Sequence, residues 1–156
     1  MATTVLVPGD SSTIVMERVF KAPRELVWKT FTQVEHITKW WGGAGCVNDV
    51  KLELRVGGKW THRMKLPNGM EFTMDWVFTE IDPPNRLGWG GDGECGKERD
   101  SAKMLATFSD APGGTKWKLV ATFENAALRD YAMKQGFARP IEVSNEELER
   151  YLATLL

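Results

Sequence analysis

From about Cys46 onward the chain alternates apolar and polar side chains with a period of two. Within Lys59–Lys65, Trp60, His62 and Met64 share one face while Lys59, Thr61, Arg63 and Lys65 share the other, which predicts a strand buried on one side only. After the turn residues Pro67-Asn68-Gly69 the alternation resumes, with Phe72, Met74, Trp76 and Phe78 set against Glu71, Thr73 and Asp75. A hairpin closed at that turn places Met64 opposite Phe72, His62 opposite Met74 and Trp60 opposite Trp76. The Asp82-Pro83-Pro84-Asn85 turn leads into a strand carrying Leu87 and Trp89, and a Gly- and charge-rich loop spans Gly90 to Asp100. Two further strands, Lys103–Ser109 and Thr115–Phe123, joined at Pro112-Gly113-Gly114, align Phe108 with Trp117, Ala106 with Leu119 and Met104 with Ala121. The sum is an antiparallel sheet with one apolar face, which other elements must cover.

Thr13 to Phe20 reads as a first strand whose apolar positions, Ile14, Met16 and Val19, slip by one. Ala22-Pro23 then opens a helix, because proline at a first helical position loses no hydrogen bond, and Leu26, Val27, Phe31 and Val34 follow at helical spacing. A second short helix, Glu35 to Trp41, presents Ile37, Trp40 and Trp41 and stops at Gly42-Gly43. Toward the end, Leu148, Tyr151, Leu152 and Leu155 fall at i, i+3, i+4, i+7, one buried helical stripe. Ser144 and Glu147 form a possible capping box for this helix, whereas Ile141 on the same stripe argues for a start near Pro140. The fold class expected is α+β, a single domain over 13–156, preceded by a flexible N-terminal segment, 1–12.

Composition narrows the functional classes. At 156 residues, 42% hydrophobic and 26% charged, with seven Trp and seven Phe, the chain has the makings of a core and is not disordered. Its net charge is −1, with no basic stripe to neutralise phosphates, so nucleic acid is not an expected partner. No apolar run approaches the ~20 residues of a membrane span, and MATTVLVPGD lacks the pattern of a signal peptide. The only cysteines, Cys46 and Cys95, are far apart, which suits a reducing compartment. A cytoplasmic protein is expected, as monomer or homodimer.

The opening strand, Ala22-Pro23 at a helix start, Val27-Trp28, Trp40-Trp41, Val56-Gly57-Gly58, Pro67-Asn68-Gly69 and Pro83-Pro84-Asn85-Arg86-Leu87 follow one another as an ordered signature. It resembles the family named for the activator of the heat-shock protein 90 ATPase, within the START-like, birch-pollen-allergen-like (SRPBCC) superfamily. The resemblance implies a helix-grip fold, with a curved antiparallel sheet around a long C-terminal helix, two short helices after the first strand, and an apolar cavity between sheet and helix. It also brings an association with chaperones and the stress response. Pro140-Ile141 stands where many relatives carry Gly-Trp, and Asn145 where an apolar residue is common. Both changes fall on the helix that roofs the cavity.

Among candidate chemical groups, His62 stands out as an imidazole on the apolar face. Desolvation lowers its pKa and suits it either to a general base or ligand contact, or to a core histidine satisfied by a neighbour. Trp40, Trp60, His62, Met74, Trp76, Trp89, Met104, Phe108, Trp117, Met133 and Ile141 are the candidate ligand-binding residues, since Trp and Met make large, adaptable apolar walls. The same bulk can instead fill the core. Glu94, Cys95, Lys97, Glu98 and Arg99 read as a solvated loop, with no adjacent His to activate Cys95. Cys46, Cys95, His36 and His62 lack the pair spacing of a zinc site, and His36 beside Glu35 reads as a surface residue. No GxSxG, P-loop or GxGxxG motif is present. No cofactor or metal is expected. The first expectation for function is binding of a small, mostly apolar molecule. The second is a co-chaperone acting on heat-shock protein 90, and the third a cyclase or hydrolase using His62. The chaperone reading ranks lower because an activator must favour one state of its target over another, and one small domain of net charge −1 offers limited surface for that.

Overall fold

In the computed structural model, which describes residues 3–9, 11–91 and 102–156, the alternating segments form one sheet. Its strands are β1 (Thr4–Leu6), β2 (Thr13–Phe20), β3 (Val47–Leu52), β4 (Lys59–Lys65), β5 (Glu71–Asp82), β6 (Arg86–Gly91), β7 (Lys103–Ala111) and β8 (Gly114–Thr122). They lie in the order β1-β2-β8-β7-β6-β5-β4-β3, with every neighbouring pair antiparallel. The register follows from the turns. Met64 meets Phe72, His62 meets Met74 and Trp60 meets Trp76, while Phe108 faces Trp117, Ala106 faces Leu119 and Met104 faces Ala121. A bulge between Phe78 and Glu80 shifts the β5–β6 register, a device that locally increases twist in this curved sheet.

The helices are α1 (Arg24–Thr32), α2 (Val34–Trp40), α3 (Ala126–Lys134) and α4 (Ala138–Leu155). Pro23 is the cap of α1, one residue ahead of the helix it was expected to open. In α4, Leu148 and Leu152 are fully buried against the sheet's inner face together with Ile14, Met16, Trp60 and Leu87, giving the helix-grip arrangement. The helix begins at Ala138, near the start expected at Pro140 and ahead of Ser144. Pro140 is its third residue and so costs no intrahelical bond, while Ser144 lies inside the helix and accepts, through Oγ, from the Gly42 N–H at 2.9 Å. The capping-box reading therefore fails, because the hydroxyl is used by a tertiary contact. Gly43, with φ +98°, lies where a Cβ would come 2.5 Å from Val143 Cγ1, so a bare backbone lets α4 close on this loop.

Three features depart from the sequence reading. Within the N-terminal segment expected to be flexible, Thr4–Leu6 pairs with β2 as an edge strand. The apolar alternation of β2 does not slip: Ile14, Met16, Arg18 and Phe20 are buried and Val19 is only half-buried, so a charged residue occupies the inner face. Gly90 and Gly91 belong to β6 rather than to the loop, whose Glu94, Cys95, Lys97, Glu98 and Arg99 lie outside the described residues.

The lead-in to β2 is held by α3, whose first turn is capped by Asn125 Oδ1 accepting from Leu128 N–H at 2.9 Å. Arg129, 4% exposed, donates from Nη1 to the carbonyl oxygens of Pro8 (2.7 Å), Ser11 (2.8 Å) and Thr13 (3.3 Å), and its Nε donates to Asp130. Arg129→Ala removes the guanidinium donor these part-buried carbonyls share, an expected loss of about 2–4 kcal/mol in urea denaturation. Hydrogen exchange should quicken first at the amides of residues 3–13; uniform quickening across the sheet would show that the clasp has no local role.

Candidate functional site

Aromatic and imidazole rings converge where the end of α2 meets β4, β5 and β6. Trp60 is their centre, with ring centroids 4.7 Å from Trp76, 5.2 Å from Trp41, 5.4 Å from Trp89 and 6.2 Å from His62, and Phe78 stacks on it at 5.7 Å. Trp41 also reaches Trp76 at 5.9 Å and His62 at 5.1 Å. The backbone explains why Trp41, rather than Trp40, faces this cluster. The helix stops at Trp40 and Trp41 takes an extended conformation (φ −61°, ψ 130°), while Trp40 turns under α1, packs on Phe31 at 4.9 Å and donates its indole N–H to Thr30 O at 2.9 Å.

A chain of hydrogen bonds fixes the protonation of His62. Asn48 donates from Nδ2 to the carbonyls of Trp41 (3.0 Å) and Thr38 (3.3 Å), so its Oδ1 is left to accept. His62 Nε2, 2.8 Å from that oxygen, must therefore carry the hydrogen, and Nδ1 is the acceptor of the Trp60 indole N–H at 3.3 Å. Both nitrogens of a fully buried, neutral ring are thus engaged. Burial pushes its pKa down from 6.5 to about 4, opposed by the Asp49 carboxylate. This is a core histidine satisfied by its neighbours, with neither nitrogen free to take a proton from a substrate.

The other sequence candidates spread over the fold. Trp60, His62, Trp76 and Trp89 are brought together. Met74, opposite His62, stays half-buried, as do Trp76, Met104 on β7 and Ile141 near the start of α4. Phe108 packs instead on Trp28 and Phe31 of α1. Trp117 contacts Phe20 at 6.3 Å and lies on β8, separated from β5 in the sheet order by β7 and β6. Met133 lies on α3 beside Val7 and Tyr131 at a surface groove, away from the ring cluster. A second concavity, lined by Asp49, Arg63, Lys65 and Glu71, opens on the outer face of β3–β5.

Sequence reasoning missed Trp41, Asn48, Arg18 and Glu149. The signal for Arg18 was present: in TIVMERVF it shares the parity of Ile14, Met16 and Phe20. It is 6% exposed, and its Nη2 stands 3.6 Å from Glu149 Oε1 on α4. His36 is likewise not a free surface residue. It is half-buried, and its Nδ1 lies 2.6 Å from the Tyr151 hydroxyl, joining α2 to α4; burial, aided by Glu35, raises the pKa of that hydroxyl. Among the described residues, no group of three His, Cys, Asp or Glu could hold a metal ion, and no helix is long and apolar enough to cross a membrane.

A curved antiparallel sheet gripping a long C-terminal helix, with its largest side chains turned inward, defines the START-like helix-grip class. Residues 21–152 match the model of the activator of Hsp90 ATPase homolog 1-like proteins, and the chain belongs to that family. Similar folds occur in a Rhodobacter sphaeroides protein (20% identity, TM-score 0.85, 99% of each chain) and a Mycobacterium smegmatis protein (22%, 0.84, 97% of each). Another is the AHSA1-like protein of Aeromonas hydrophila (20%, 0.67, 92% of this chain and 93% of that one). At these identities the likeness is one of fold. No curated protein matches the chain.

The relay makes a pH prediction. The unfolded chain binds a proton at His62 near pH 6.5, while the native state refuses it until about 4. Stability contributed by the neutral ring is therefore present above 6.5 and lost as pH falls through this window, by up to about 3 kcal/mol. An NMR titration should give a midpoint near 4, and His62→Gln should remove that part of the pH dependence of unfolding. A midpoint at or above 6.5 would show a solvated or carboxylate-paired ring.

Proposed function

We propose that the protein binds a small, mostly apolar molecule between the sheet and α4, with Trp41 and Trp76 as the wall it meets first. The observation that carries this reading is the half-exposure of large apolar side chains on the inner face. Trp41, Trp76, Met74, Met104 and Ile141 retain solvent contact, while Trp60 and His62 beneath them are sealed. Water contact on so much apolar surface costs about 25 cal/mol per Å², and a ligand that covers it recovers that free energy. Gly42 and Gly43 place the loop after Trp41 directly against Ser144 and Val143 of α4. Met side chains alongside supply adaptable packing.

The His62 geometry speaks against the catalytic alternative, since chemistry at either nitrogen first breaks a buried hydrogen bond. The family description gives the chaperone reading its one support.

An environment-sensitive apolar dye should bind the native protein saturably and quench Trp emission. Trp76→Ala should weaken that binding at least about fivefold with unchanged far-ultraviolet dichroism. Absence of saturable binding would refute the reading. In the same preparation, an excess of the protein should leave the ATPase rate of a heat-shock protein 90 unchanged; saturable, several-fold stimulation would make the chaperone its partner instead.

A further inference from the structure

The sheet order ends on β3, so among the described residues only one side of this strand is paired. Which residues face the open side follows from the β3–β4 ladder. Glu53, just past the strand, donates its N–H to Lys59 O on the β4 side at 2.9 Å, and in an antiparallel pair the backbone groups of successive residues turn to alternate sides. Val47, Asp49 and Lys51 therefore bond toward β4, whereas Asn48, Val50 and Leu52 turn their N–H and C=O groups to the open edge. The side chains alternate as well. Val50 is buried, while Asp49 and Lys51 are exposed on the outer face.

A row of open backbone groups is a template for another strand, and the side chains decide which strand fits. When the sequence Val47–Leu52 meets a copy of itself antiparallel, residues placed symmetrically about the two-fold axis stand opposite each other. With the axis at Val50, Asp49 stands opposite the partner's Lys51 on both sides of the axis, and Asn48 stands opposite the partner's Leu52. All three edge-facing residues then find bonding partners. An axis at Asp49 sets that carboxylate against its own copy, and an axis at Lys51 sets two ammonium groups together and Asp49 against Glu53. An axis midway between two residues opposes an edge-facing residue to one already bonded to β4, which forms no ladder. Charges on an edge strand ordinarily ward off pairing. Here they reject the neighbouring registers and admit one.

We propose that β3 pairs antiparallel with β3 of a second copy of this chain, about a two-fold axis at Val50, joining two sheets into one. Within one chain, Asp49 faces Arg63 across β4 and Lys51 faces the uncharged Thr61. The pairing sets each Asp49 between two cations and gives each Lys51 an acid directly opposite, with Cβ atoms about 5 Å apart. Exposed apolar side chains flank the strand, Val47 (68%) at its start and Leu54 (44%) beyond its end, and the axis brings each Val47 to the end where the partner's Leu54 stands. The contact is one strand pair of six residues a side, smaller than the roughly 800 Å² per partner of a stable complex, so the dimer is reversible, with a Kd of order 100 µM. It does not depend on a ligand beneath α4.

Sedimentation velocity from about 1 µM to about 1 mM should show a reversible monomer–dimer equilibrium. Asp49→Lys alone and Lys51→Asp alone each turn both opposed pairs into like charges, and each should weaken the dimer at least about tenfold with unchanged far-ultraviolet dichroism. An equimolar mixture of the two variants should dimerise again, because every opposed pair is then unlike. Amide exchange followed by NMR should slow with rising concentration at Asn48, Val50 and Leu52, while Asp49 and Lys51, already bonded to β4, stay unchanged. A monomer throughout the range refutes the proposal. A dimer indifferent to both reversals, or protected on another element, uses a different surface and refutes it too, and failure of the mixture to dimerise overturns the register. None of these outcomes bears on the dye titration, which tests the apolar pocket separately.

Discussion

The indole N–H of Trp60 is buried under neighbouring rings, and it donates to His62. From that one bond the inner face is organised outward: His62 is held neutral, its other nitrogen is committed to Asn48, and Asn48 in turn grips the two carbonyls that end α2. A polar group inside an apolar face costs free energy unless it is satisfied. Here each satisfied group determines the next, so β3, β4 and the end of α2 are placed relative to one another by a line of hydrogen bonds rather than by shape alone. The position of Trp41, and through Gly42 and Gly43 the seat of α4, follow from that placement.

Much of the sheet was legible because two local signals coincided. Alternation told which side chains face inward, and the turn residues at 67–69 and 112–114 fixed the register, so residue order alone pairs Trp60 with Trp76 and Phe108 with Trp117. The site was less legible, for physical reasons that differ by residue. Arg18 broke the expectation that an inner face is apolar, and the pattern was read as a slip rather than as a buried charge whose partner, Glu149, is distant in the chain. Trp40 and Trp41 exchanged roles because a helix end a single residue earlier turns the second ring through the extended backbone toward the sheet. Met133 and Trp117 lie on other elements than the ring cluster, since strand order and helix packing decide which apolar residues become neighbours. Asn48 shares the inner parity of Val50 and Leu52, but nothing local shows that its partners are His62 and the end of α2.

The family assignment and the residue chemistry answer different questions. Membership accounts for the sheet, the grip of α4 and the ordered signature from Ala22-Pro23 to Leu87, and the fold itself is shared with proteins only about 20% identical to this chain. The inner face itself carries a sealed polar relay at His62, the partly exposed rings of Trp41 and Trp76, and the ion pair of Arg18 with Glu149 of the roof helix.

The pairing of β2 with β8, and the reach of Thr3 to Asn145 through a 3.2 Å hydrogen bond, also bear on how the protein is made. Synthesis proceeds from the N-terminus, yet β2 finds its inner neighbour only after residue 122 has appeared, and Thr3 finds Asn145 later still. β2, with Ile14, Met16 and Phe20 on one face, therefore precedes its β8 partner by about a hundred residues of synthesis. Such distant pairing is slow because chain closure precedes any reward from contact. For this fold, β2 gains its pairing with β8 only once a segment about a hundred residues further along is in place.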